Sequence, residues 1–301
     1  MAKVVKKKLK LKKMNFTIFV IFIFLCTFSL ISTTNLIINA LNDKNPKDKN
    51  NKEPLITENK QKKKNEIEKI DFYKEEFKDR YKQYQKENSN LTPKEIVTHV
   101  NIGLDNNYYE NSKEAKYLNQ SYILVNKYNY LPEDYVPKNL KEIDKKYSTG
   151  KMKLVDYAKE AFEKMASDAK KENLTIIAMS SYRSYKYQVN LYNRYKEQDG
   201  EETADTYSAR AGFSEHQTGL TVDVYNGKKN YTEFENTKEF TWMQENAHNY
   251  GFILRFPKDK TKLTGYQYES WHYRYVGKEI ATYIKENNIC FEEYYVEKLD
   301  N

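Results

Sequence analysis

Residues 16–31, FTIFVIFIFLCTFSLI, run almost wholly apolar and without a charge, and this stretch constrains the chain more than any other feature. With the weaker TTNLIIN extension it reaches about 20 residues, enough to span a bilayer. Lys3, Lys6, Lys7, Lys8, Lys10, Lys12 and Lys13 precede it, with no acid among the first 13 residues. A Lys-rich flank stays inside, so the bulk that follows is expected outside the cell. A cleaved signal sequence is the competing reading. No A-x-A-like site follows the apolar core, however, and Cys26 is preceded by IFL rather than by the small residues of a lipobox. Seven of the eight net positive charges sit in this leader, leaving a balance of +1 for the remainder. The basic balance therefore concerns a membrane end, and a nucleic-acid binder would need its basic residues elsewhere.

The 301 residues are enough for one substantial core plus an extension. Residues 1–15 read as a basic cytoplasmic segment and 16–38 as the transmembrane anchor or signal sequence. Residues 39–90 read as a polar tether with a short helix, and 91–301 as the folded domain. The tether, rich in Lys, Asn, Asp and Glu, holds too few apolar residues to fold alone. Near its end Phe72, Phe77, Tyr81 and Tyr84 fall close to helical spacing. Beyond it, KEIVTHVNIG reads as a strand and LPEDYVPKNL as an irregular wrapping segment. An amphipathic helix is expected over 154–172, a buried strand in LTIIAMSS, and a helix in SYKYQVNLYNRYKEQ. Further expectations are a strand in LTVDVYN, a helix ended by Gly251, a strand in WHYRYV, and a final helix in GKEIATYIKENN. Helices and short strands without a repeating βαβ order make an α+β domain. Two cysteines, Cys26 and Cys290, build neither a disulfide framework nor a thiolate zinc cluster.

Three segments carry the chemistry: SSYRSYKYQ (180–188), SEHQTGLTVD (214–223) and ESWHYR (269–274). A hydrolytic zinc site takes three protein ligands of the His and carboxylate type and leaves a position for water. His216, Asp223 and His272 supply such a set, with Gly219 letting the chain turn between the first two. Glu269, three residues before His272, can serve as the base. Its spacing does not match H-E-x-x-H, which excludes a thermolysin-like helix. Arg183 offers a fixed forked cation to an oxyanion or a substrate carboxylate, and Gln188 and Ser214 offer neutral hydrogen bonds for orienting a peptide. Taken singly, each has a plainer reading: His216 a polar loop residue, Asp223 a turn cap or Arg partner, His272 a core histidine, and Glu269 and Arg183 salt-bridge residues. The joint pattern carries the metal reading. His99, in the expected edge strand, and His248, near a helix C-terminus, are read as structural.

In the order S-x-Y-R-S-x-x-x-Q, S-E-H-Q-T-G-L-x-x-D and E-x-W-H-Y-R-Y, these segments resemble the VanY-type D-alanyl-D-alanine carboxypeptidases and their L,D-carboxypeptidase relatives. The similarity runs from about Leu91 to about Asn288 and includes LVNKYNYLPEDYVP and NAHNYGFILRFP. The resemblance implies the hedgehog/D-Ala-D-Ala peptidase fold, a small central antiparallel sheet flanked by helices. It also implies one Zn2+ per chain on His216, Asp223 and His272, with Glu269 as base and Arg183 on the transition state or substrate. The implied substrate is the peptidoglycan stem peptide, with D,D or L,D specificity left open. A catalytically silent wall-binding module would show a lost ligand, and none is lost. One departure is visible: Ala211-Gly212 stands where family members often carry Pro-Gly.

Overall fold

The computed structural model describes residues 66–228 and 230–300, all within the compact unit Gln61–Asn301. The basic segment, the apolar run and most of the tether lie outside the described residues. Among those described, no helix is long and apolar enough to cross a membrane.

The chain enters through helix α1 (Lys78–Glu87) and helix α2 (Pro93–Ile102). Ile67, Phe72, Tyr81, Tyr84, Ile96, Val97 and Val100 bury one another in a small cluster. Packing thus begins before residue 91, inside the stretch whose composition reads as tether. The segment KEIVTHVNIG, expected as a strand, is helix α2. Thr92 caps it through Oγ1 and Glu95 reaches back to the Thr92 N–H at 2.8 Å, with Pro93 in the first turn and Gly103 closing the end in a left-handed conformation. That capping box and the burial of Ile96, Val97 and Val100 outweigh the strand preference of the β-branched residues. His99 accordingly lies on a helix, its Nδ1 3.2 Å from the Tyr84 hydroxyl.

Two short pairings follow: β1 (Lys113–Glu114) with β2 (Asn129–Tyr130), parallel, and β3 (Leu140–Glu142) with β4 (Lys153–Val155), antiparallel. Helix α3 (Asp156–Lys171) comes next. Then come β5 (Ile177–Ser180), α4 (Tyr185–Asp199), α5 (Glu201–Tyr207), β6 (Thr221–Tyr225), α6 (Lys238–Asn246) and β7 (Phe252–Leu254). The short α7 (Thr261–Thr264), which like β7 is not among the expected elements, precedes the expected β8 (His272–Tyr275) and α8 (Lys278–Asn287). Helix α8 is not the last one, since α9 (Phe291–Lys298) follows after the turn at Asn288.

The central sheet has the order β5-β6-β8-β7, and every pairing is antiparallel. Alternation along its strands divides two jobs. Ala178, Val222, Val224, Tyr273 and Phe252 turn toward the main core, where Ala158, Phe162, Met165, Ala166 and Ala169 of α3 meet them at helical spacing. Each large side chain buried there contributes roughly 1.5–3 kcal/mol. Asp223 and His272 take the opposite phase. Register places Asp223 directly opposite His272 and, after a bulge between Ala178 and Ser180, opposite Ser180 as well. Such a bulge re-aims a strand next to a site. A row of polar side chains thus crosses three strands on the face away from α3.

Candidate active site

His216 reaches this row from a tight 3-10 turn, Glu215–Thr218, that Gly219 closes. Gly219 has φ +69°, and a Cβ there would lie 2.8 Å from Leu140 Cδ2, so the turn requires glycine. Gly212, the glycine retained at the Ala-Gly departure, has φ +84°, and its carbonyl accepts from the Leu131 N–H at 2.8 Å. The His216 ring is fixed by Nδ1, 2.7 Å from the Ser181 carbonyl, which leaves Nε2 facing Asp223 Oδ2 at 3.4 Å. His272 turns Nδ1 toward Asp223 Oδ1 at 3.3 Å and Glu269 Oε2 at 3.2 Å. The two imidazole rings stand nearly perpendicular, 5.2 Å apart.

The three donor atoms lie within 4.8 Å of one another, and all three residues are buried. The 3.3 Å from His272 Nδ1 to Asp223 Oδ1 matches the edge of a tetrahedron drawn around an ion with bonds of about 2.0–2.1 Å, while the 3.4 Å from His216 Nε2 runs to the other oxygen, Oδ2. Asp223 Oδ1 is buried without a hydrogen-bond partner, an orphan that a cation would satisfy. Two imidazoles and a carboxylate suit zinc, so the residues present fit the ion that the motifs imply.

Electrostatics agrees with a cation site. Burial opposes the His272 imidazolium, yet the carboxylates of Asp223, Glu215 and Glu269 together carry its pKa well above the usual histidine range. Burial and then the Arg183 charge lower that of His216. Burial works against ionising Asp223, but His216, His272 and Arg183 outweigh it and hold the carboxyl well below its ordinary value. Glu269 goes the other way: burial pushes it up, against the pull of His272. A carboxyl with a raised pKa beside ionised Asp223 is an arrangement suited to proton transfer.

All seven residues singled out in the sequence line one cavity of about 350 Å³. Arg183 donates from Nη2 to Asp223 Oδ2 at 2.8 Å, and from Nε and Nη2 to Ser180 Oγ at 3.1 and 2.8 Å. It therefore braces Asp223 as well as lining the cavity. Gln188 donates to the Ala209 carbonyl at 2.7 Å, while its buried Oε1 has no hydrogen-bond partner. Ser214 is buried in the wall. The mouth is aromatic, with Tyr231 packed edge-on to Trp271 at 5.0 Å.

Sequence reasoning passed over a set of charges behind His272. Glu215 Oε1 accepts from Arg255 Nε at 2.9 Å and Arg274 Nη1 at 2.8 Å, and Arg255 forks onto Glu292 of α9 at 2.8 and 2.6 Å. All four side chains are buried. A signal was present: Arg274 stands two residues after His272 in an otherwise apolar strand, and so on the same face.

The fold and this donor set fit a mononuclear metal site with one further buried carboxylate, Glu269, beside it. Residues 151–278 match the family model described as VanY, D-alanyl-D-alanine carboxypeptidase. The structure of LdcB, an LD-carboxypeptidase, is similar at 39% identity and TM-score 0.55, covering 58% of this chain and 85% of that one. VanYB in complex with D-Ala-D-Ala is similar at 32% identity and TM-score 0.52, covering 59% and 98%. A D-alanyl-D-alanine carboxypeptidase of Enterococcus faecium is 43% identical over 134 residues, 44% of this chain and 41% of the relative. The chain spans 41% to 66% of the length of the curated relatives it matches. It belongs to the VanY-type D-alanyl-D-alanine carboxypeptidase family, a zinc peptidase family in which one VanY structure holds Zn(II).

Proposed function

We propose that this chain is a zinc-dependent D,D-carboxypeptidase that removes the C-terminal D-alanine from peptidoglycan stem peptides. The observation that carries the reading is the convergence of His216, Asp223, His272, Glu269 and Arg183 in one cavity. Zinc on the two histidines and Asp223 supplies a Lewis acid and brings the pKa of water toward neutrality. Glu269 takes the proton from the attacking water at its carboxylate and returns it to the leaving amine. Arg183, fixed by Asp223 and Ser180, presents its remaining donors to the developing oxyanion or to the substrate's terminal carboxylate. Gln188 and Ser214, both in the cavity wall, supply neutral hydrogen bonds that orient the peptide. No covalent acyl-enzyme is needed, since water is the nucleophile.

The likeness to LdcB favours a second reading, an L,D-carboxypeptidase that trims tetrapeptide stems to tripeptides. Incubating the purified protein with defined pentapeptide and tetrapeptide stems, and weighing the products by mass spectrometry, separates the two. Loss of D-alanine from the pentapeptide alone supports the first reading, loss from the tetrapeptide alone the second, and loss from neither refutes both. The apolar run before the domain supports a single-pass anchor with the catalytic domain outside the cell, or secretion after cleavage. External protease on intact protoplasts should digest the domain, and full protection would refute that topology.

A further inference from the structure

The proposed zinc site needs His272 in one tautomer, and the structure shows what would select it. His272 turns Nδ1 to Asp223 and Glu269, so Nε2 must carry the proton when Nδ1 serves as the donor to the metal. That Nε2 is buried without a hydrogen-bond partner, and so is Glu215 Oε2. The two atoms face each other at 3.7 Å, a small rotation short of a hydrogen bond. The other carboxylate oxygen of Glu215 cannot turn toward His272, because Arg255 and Arg274 both hold it. The Phe256 ring packs 4.7 Å from the imidazole and limits how far that ring can swing.

We infer that Glu215 is a positioning residue: it accepts the His272 Nε2–H, fixes the tautomer that offers Nδ1 to zinc, and is itself aimed by Arg255 and Arg274. The inference rests on the zinc-peptidase reading above. A carboxylate behind a ligating histidine also raises the basicity of the donor nitrogen. Glu292 on α9 completes the arrangement at one remove, since it neutralises Arg255 without touching His272.

The two buried carboxylates provide the test. In Glu215→Gln the amide oxygen takes the place facing the two guanidiniums, because an amide NH2 there would set donor against donor. The NH2 then faces His272 Nε2 and favours the proton on Nδ1, the wrong tautomer. Glu292→Gln removes the same charge from the same buried group but leaves Glu215 in place. Zinc dissociation constants by chelator competition should be 10- to 100-fold weaker in Glu215→Gln and within about threefold of the parent in Glu292→Gln. Equal weakening in both, or none in Glu215→Gln, overturns the assignment. If Glu215→Gln does not fold, long-range proton–nitrogen NMR of the zinc-loaded parent decides. A proton on His272 Nε2 with Nδ1 coordinated supports the inference, and coordination through Nε2 refutes it while leaving the zinc reading intact. A parent that binds no zinc refutes both.

Discussion

Replacing Glu269 by glutamine separates holding the metal from moving the proton. The side chain is buried, with Oε2 3.2 Å from His272 Nδ1, and glutamine keeps its shape while removing the basic oxygen. Losing a positioned acid/base group lowers turnover by roughly 10² to 10⁴, or about 2.7–5.5 kcal/mol of barrier. Zinc content should stay near that of the parent, because His216, Asp223 and His272 remain. Stability supplies an independent check. Burial first, and the Asp223 charge after it, raise the Glu269 pKa above its ordinary value. An acid whose folded pKa exceeds its unfolded one costs stability in full above the folded pKa, and that cost fades as pH falls from the folded to the unfolded pKa and is gone below it. Glutamine removes the cost, so at pH 7 the metal-free variant should melt no lower than the metal-free parent. Zinc stoichiometry, terminal-residue release and melting temperature are read on one preparation. A near-normal rate would remove Glu269 from the mechanism, a zinc-free variant would make it a ligand, and a lower melting temperature would refute the burial argument.

His216→Ala, Asp223→Ala and His272→Ala should each reduce bound zinc, measured by atomic emission, since two ligands hold the ion poorly; full occupancy in any of them would exclude that residue as a ligand. Arg183→Lys keeps the charge but loses the fork onto Asp223 and Ser180, so turnover should fall by roughly 10²-fold or more in the same release assay. Gly219→Ala puts a Cβ into a left-handed turn against Leu140 and should cost roughly 1–3 kcal/mol in urea unfolding, with an unchanged midpoint as the contrary result. Hydrolysis should persist in β-lactam concentrations that acylate serine penicillin-binding proteins, and time-dependent inactivation with a covalent adduct would contradict a water nucleophile.

The site was legible in the sequence and part of its scaffold was not, for separate physical reasons. Asp223 and His272 stand out because each interrupts an apolar strand, and polar groups in such places are there to be paired or ligated. Their register opposite each other is what joins two motifs that lie far apart in the chain. Helix α2 was misread because Ile96, Val97, Thr98 and Val100 favour strands, although Thr92-Pro93-Lys94-Glu95 spelled a helix start. Local propensity is worth tenths of a kcal/mol per residue and yields to a capping box joined with burial against Tyr81 and Tyr84. The charges behind His272 were hidden differently. Glu215 meets Arg255 across 40 positions and Arg255 meets Glu292 across 37, so no periodicity within a segment announces the pairing. Glu215 sits beside His216 in the motif but acts on the other histidine. Adjacency in sequence therefore points to the wrong partner, and only the antiparallel pairing of β6 with β8, which brings the His272 ring back over the Glu215–Thr218 turn, reveals the right one.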